Sequence, residues 1–288
     1  MMTEKIRVGI VGASMRNGWG RDAHIPALSA LPEFEITAVS TSRQETADET
    51  AKHFGISHAF ADPYKMLQHP DVDLVSICVR VPFHHQLGMA ALNAGKHLYC
   101  EWPLAATTEQ AQQMRDLAVR KGVHHMVGLQ ARGAREFNRV RDLVAEGYVG
   151  KVLSCTMIIT TPAWGTEFTR DWAYMADRSN GNTLLTSPGG TLCFCLGEFK
   201  ELSSVVANQR QRAKIAETGE TIEMTSPDQC SSAASSKAAR SYRFTSKAAP
   251  PAGRGSCATW LSCRQTLARR LTYRSPSSPC AVRRRANR

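Results

Sequence analysis

The chain has 288 residues, nine cysteines and a formal net charge of +11. That length is enough for one or two domains with sizeable cores, and no run approaches the roughly 18 apolar residues of a membrane span. The charge invites a nucleic-acid reading, yet all 25 acidic residues lie at or before Asp228, and residues 230–288 hold 13 of the 36 basic ones, so the basic balance belongs to the tail alone and does not define the folded part.

Taken in chain order, a strand over 6–11 (IRVGIV) opens the chain and runs into a Gly-rich turn; its position leaves no room for a charged-then-apolar leader, and none is expected. Residues 23–31 have helical spacing, 34–40 alternate as a strand, and 45–55 read as a helix ended by Gly55. The nearly unbroken apolar run 73–81 predicts a strand covered on both faces. A helix over 83–95, a strand over 97–100, a helix over 108–121 opened by a Thr107/Gln110 capping box, and a strand over 124–130 follow. Strands alternating with helices predict a doubly wound parallel sheet over residues 1–130. From Arg132 the pattern becomes one helix and then the strands 151–160 and 202–211, the start of an α+β domain over 131–229. Five cysteines (Cys78, Cys100, Cys155, Cys193, Cys195) sit in apolar runs, and no Cys-x-x-Cys pair occurs; this predicts reduced, buried thiols and a cytoplasmic protein.

Residues 230–288 follow a different logic. They contain no acid, and Ala, Ser and Arg dominate with no period of 2 or 3.6. Two readings stand: a disordered basic tail, or the product of a shifted reading frame in a GC-rich gene. Either way the second domain is expected to be truncated near 229.

The turn after the first strand, GASMRNGWGRDAH, places a Gly-rich loop between strand and helix, where unpaired helix-end amides and partial positive charge meet a pyrophosphate. Gly12 takes the tight-turn position, Ser14 stands where a second glycine is usual, and Asn17 lies in the longer loop. The second strand ends in Thr41-Ser42-Arg43 rather than an acid, and hydroxyls with a guanidinium suit a 2′-phosphate, which predicts NADP, with NAD as the alternative cofactor. No metal site is expected.

The Gly12 loop with His24 behind it, VRVPFHH, YCEWPLA and LQARGAREFNRVRDLVAEGYVGKV together resemble the glucose–fructose oxidoreductase/inositol dehydrogenase (Gfo/Idh/MocA) family over residues 5–229, with most likeness to its galactose-pathway repressor branch. The resemblance implies an α/β fold with an N-terminal Rossmann NAD(P)-binding domain and an incomplete α+β domain. It implies a sugar or polyol as ligand and homo-oligomers in the family, an assembly this shortened chain need not form; it implies neither a membrane nor a nucleic-acid partner. It adds Val81, Pro82, His85, Glu101 and Trp102 to the cofactor-binding candidates. Where the family's enzymes carry Glu-Lys-Pro, this chain has Glu101-Trp102-Pro103; an indole N–H donates only and moves no proton, but the ring can cover a nicotinamide or sugar face. The family's second-domain Asp and His are also missing after Gly189-Gly190, and all nine histidines lie at or before His125. His85 and Glu101 remain as acid–base candidates. The function expected is hydride transfer between NADP and a sugar or polyol, impaired in this chain; the alternative is a non-catalytic sensor of NADP or sugar.

Overall fold

Apolar strands followed by amphipathic helices can bury both sheet faces only by winding the helices to either side, and the computed structural model of the chain has this form. The structure describes residues 4–16, 18–161, 167–180, 183–236, 241–248, 258–264 and 270–274. The chain divides into two compact units between Gly128 and Leu129.

The first unit contains β1 (Ile6–Val11), a π turn Gly20–His24 running into α1 (Ile25–Ser29), β2 (Phe34–Ser40), α2 (Gln44–Phe54), β3 (His58–Phe60) and α3 (Pro63–Leu67). It continues with β4 (Leu74–Ile77), a 3-10 turn Val81–Phe83, α4 (His84–Asn93), β5 (His97–Glu101), α5 (Thr108–Lys121) and β6 (His125–Gly128). The six strands are parallel in the order β3-β2-β1-β4-β5-β6. The order reverses between β1 and β4, and such a sheet takes its ligands at the strand carboxyl ends beside that switch point. Val8, Ile10, Ile25 and Val39 form one core, and Val11, Met66, Leu67, Ile77, Leu92 and Met114 form another.

The sequence reading missed β3 and α3, and it made β4 too long. The three residues of β3 are too few for a period to register. The Cys78 N–H still donates to the Val11 carbonyl at 2.9 Å, and beyond it the chain turns toward the 3-10 start of α4. The Thr107 cap is present: its hydroxyl accepts from the Gln110 N–H at 3.3 Å.

Arg7 clamps the amino ends of β1 and β4. Its Nη2 and Nε donate to the two carboxylate oxygens of Asp73 at 2.7 and 2.9 Å, and its backbone N–H donates to Asp73 Oδ2 at 2.9 Å.

In the second unit come α6 (Arg135–Ala145), β7 (Ser154–Thr161), β8 (Glu167–Phe168), α7 (Thr183–Leu196), β9 (Phe199–Ala207), β10 (Arg212–Ile215) and β11 (Thr221–Glu223). Then follow β12 (Gln229–Ser236), β13 (Ser241–Ala248), β14 (Ala258–Arg264) and β15 (Arg270–Arg274). The large sheet has the order β15-β14-β7-β13-β12-β9, and a small sheet is β11-β10-β8. α6 and α7 contribute Val140, Leu143, Leu192 and Leu196 to a core with Met157 and Ile159 of β7. Leu202, Val205 and Val206 of β9 are exposed.

This corrects two expectations. Among the described residues beyond 229, 230–236, 241–248, 258–264 and 270–274 join the large sheet: β12 pairs with β9 and β13, and β13 and β14 flank β7. Sheet ladders are backbone hydrogen bonds, so Ser- and Ala-rich strands join them without the apolar alternation that sequence reading relies on. Gly189 and Gly190, which the family resemblance implies as a turn, lie inside α7. Cys78, Cys100, Cys155, Cys193 and Cys195 are free thiols, as expected, but Cys78 and Cys193 are only half-buried; Cys230 is a free thiol as well.

The hydrogen bonds from Arg7 hold the Asp73 carboxyl below its ordinary range. A depressed carboxyl pKa adds stability that is complete above the unfolded value of about 4 and is lost as pH falls through the folded value. Unfolding of the wild type should therefore lose stability steeply below about pH 4, and Asp73→Asn should be weaker at neutral pH with a shallower acid limb; identical acid limbs would refute the clamp.

Candidate functional site

The carboxyl edge of the first sheet is built around glycines. Gly12 ends β1 with φ +96°, and a Cβ there would stand 2.6 Å from the Cys78 carbonyl oxygen and 2.8 Å from Val79 Cγ1. Gly20, at the start of the π turn, would put a Cβ 2.8 Å from the Gly12 carbonyl oxygen. Only residues without side chains let β1, β4 and the first helical turn come this close. Ser14 Oγ accepts from the Arg16 N–H at 3.3 Å, and Arg21 holds the loop by donating to the Met15 carbonyl. Asn17 lies outside the described residues.

One turn beyond Gly20, His24 is carried over the sheet face. Ser76, Tyr99 and Glu101 share that face, since Ser76 and Tyr99 are register partners and Glu101 lies two residues further along β5. His24 Nε2 is 2.6 Å from Glu101 Oε1, and His24 Nδ1 is 3.0 Å from the Ser76 hydroxyl. The His24 and Glu101 side chains are only 11% and 10% exposed. Tyr99 meets the His24 ring edge-on at 5.1 Å. Burial, then the Glu101 charge, pushes the Tyr99 phenol up to about 12, so it stays protonated at neutral pH. Gly128 leaves the room: a Cβ there would stand 2.9 Å from both Glu101 carboxylate oxygens and from the Tyr99 hydroxyl. A carboxylate held in place by an imidazole can accept a proton, becoming a neutral acid.

The other sequence candidates separate. Glu101 is drawn into this cluster, and Trp102, half-buried, follows it with a cis peptide bond to Pro103. His84, fully buried, contacts the Pro103 and Val79 carbonyls at 2.8 Å each, a packing role that ties the Pro103 turn to the end of β4. His85 instead bonds Gln113 of α5 at 2.8 Å. Val81 is buried in the 3-10 turn and Pro82 is exposed. The Thr41 hydroxyl is engaged inside its own turn, with the Arg43 carbonyl at 2.8 Å and the Thr46 hydroxyl at 2.6 Å, which leaves Ser42 and Arg43 as the exposed polar groups. His24 entered the sequence reading only as part of a resemblance; its partner lies 77 residues away, a separation no local pattern encodes.

These features define a dinucleotide-binding Rossmann domain followed by an α+β domain. Residues 6–129 match the oxidoreductase family, NAD-binding Rossmann fold (GFO_IDH_MocA), and residues 136–241 match the Gal80p C-terminal domain. The chain belongs to the Gfo/Idh/MocA family through its first domain and carries a Gal80p-like second domain. It is 34% identical over 211 residues to the dehydrogenase aclE of Aspergillus oryzae, covering 70% of this chain and 57% of that one. It is 29% identical over 195 residues to the galactose/lactose metabolism regulatory protein GAL80 of Saccharomyces cerevisiae, covering 64% and 45%. The fold matches levoglucosan dehydrogenase solved with NADH and L-sorbose at a TM-score of 0.80 and 19% identity, over 99% of this chain and 80% of that one. The chain spans about half the length of the curated relatives it matches. No helix among the described residues is long and apolar enough to cross a membrane.

The glycine contacts rank two substitutions. Gly12→Ala meets backbone at a positive φ, whereas Gly128→Ala meets side-chain ends that can move. Denaturant unfolding should show the larger loss for Gly12→Ala, of about 2–4 kcal/mol, and a smaller one for Gly128→Ala; the reverse order would contradict the packing described.

Proposed function

We propose that this chain binds a nicotinamide dinucleotide, NADP in preference to NAD, and serves hydride exchange with a sugar or polyol at a reduced rate. The observation that carries the reading is the buried Glu101–His24 pair at the strand ends beside the Gly12 loop, a proton acceptor in a chain whose Trp102 cannot act as one. The narrow approach at Gly12 and Gly20 fits a pyrophosphate against backbone amides. Gly12, Ser14 and Asn17 would hold it, Arg43 would meet a 2′-phosphate, Val81 and Pro82 would line the base of the site, and the Trp102 ring would cover the reacting end. When bound, the dinucleotide supplies the hydride chemistry. Glu101 takes the hydroxyl proton and becomes a neutral acid, His24 holds its carboxyl in place, and Ser76 fixes the His24 ring. A sugar-like substrate is favoured by the relatives' names, levoglucosan dehydrogenase among them.

A second reading, a regulator that binds dinucleotide or sugar without turning it over, is favoured by the Gal80p-like second domain and by Trp102. The two readings part in one experiment. The oxidoreductase turns over NADP with at least one member of a sugar and polyol panel, and Glu101→Gln lowers kcat by about 10²–10⁴ while dinucleotide affinity holds. Tight binding without turnover selects the regulator, and no binding of NADP, NAD or any member of the panel refutes both.

The cofactor preference has its own test. Arg43→Ala should weaken NADP about tenfold in a fluorescence titration and leave NAD unchanged, as expected for a charge-assisted contact to phosphate; equal effects on both would remove Arg43 from the site.

A further inference from the structure

At the opposite, amino-terminal edge of the first sheet, two histidines and an aspartate converge on one point. His58 is the first residue of β3, and His69 and Asp71 lie in the segment between α3 and β4. His58 Nε2 is 3.2 Å and His69 Nδ1 is 3.9 Å from the same oxygen, Asp71 Oδ2, and the three atoms lie within 4.8 Å of one another. The two imidazole rings stand 4.2 Å apart, tilted by 44°. All three residues are half-buried. From this geometry we propose that His58, His69 and Asp71 form a binding site for a divalent transition-metal ion of the zinc type.

The donor set selects the metal class. Imidazole nitrogens with a single carboxylate suit zinc, cobalt, nickel or copper, whereas magnesium and calcium favour all-oxygen sites. Tetrahedral bonds of about 2.0–2.2 Å place donor atoms about 3.3 Å apart. The His58–Asp71 distance meets that already, and a small rotation of His69 brings the third donor in. His69 Nδ1 accepts only a 3.2 Å contact from the Asp71 N–H, so its lone pair is readily redirected. A fourth position is left for water.

The aspartate is held from behind, as metal-binding carboxylates usually are. Arg7 Nη1 donates to its other oxygen, Oδ1, at 3.0 Å, and the Thr37 hydroxyl donates to its backbone carbonyl at 2.6 Å. This leaves Oδ2 facing the rings. The Arg7 charge, which would oppose a cation, is offset by its paired bonds to Asp73. A bound ion would tie the short edge strand β3 to the entry of β4. The cluster shares no residue with the Glu101 site, so either assignment can fail alone.

The test is a Co²⁺ titration of the metal-free full-length chain, read by visible absorption, with displacement by Zn²⁺ and a Mg²⁺ control. We expect the intense d–d bands of four-coordinate cobalt, their loss on adding Zn²⁺, no effect of Mg²⁺, and a rise in Tm with Zn²⁺. His58→Ala and His69→Ala should each weaken binding about tenfold or more, and His97→Ala, whose ring packs on His124 instead, should not. Asp71→Asn, which keeps the side chain's shape, covers the case in which a histidine variant fails to fold. Absence of the bands, or bands that persist in His58→Ala, His69→Ala and Asp71→Asn, would overturn the site.

Discussion

The first domain depends on how closely the end of β1 can approach the end of β4. At Gly12 the two backbones meet with no room for a side chain, and Gly20 seats the first helical turn directly on the Gly12 carbonyl. That contact does more than shape a phosphate loop. Because His24 lies one turn beyond Gly20, the same close packing sets where its ring falls over the sheet. There it finds Ser76 and Glu101. The shape of the loop and the position of the His24 ring are thus one constraint expressed twice.

The pairing of Glu101 with His24 also changes how the Glu101-Trp102-Pro103 corner is understood. Read along the chain, the corner has lost its proton-moving side chain. Read in space, an imidazole from a different element stands behind the acid, and Gly128 on the neighbouring strand makes the space for the acid and the Tyr99 hydroxyl. The buried hydroxyl of Ser76 fixes the ring that the acid leans on. The same sheet keeps its other histidine cluster at the opposite edge, where a clamp of opposite charges around Arg7 holds strands β1 and β4 in register.

Much of the first domain was legible because its strands and helices have clear periods and clear stops: β1, β2 and α5 fall on or within a residue of where spacing and caps put them. What escaped had physical reasons. β3 is three residues long, and the His24–Glu101 contact joins positions far apart in sequence. Thr41 carries a residue type suited to a ligand, but its hydroxyl closes a local turn instead. The second domain was hardest, because Ser- and Ala-rich strands hold their place by backbone pairing and leave no apolar signature.

In that second domain β7 is bracketed by β13 on one side and β14 on the other. Both neighbours come from the last quarter of the chain, roughly 90 to 100 residues downstream of β7. On the ribosome, the first domain has every strand it needs as soon as β6 has emerged, while β7 must wait without partners until β13 and β14 have followed. Nascent chains therefore pass through a long interval in which one half is finished and the other presents an open strand, and chaperone capture and misassembly compete during that interval.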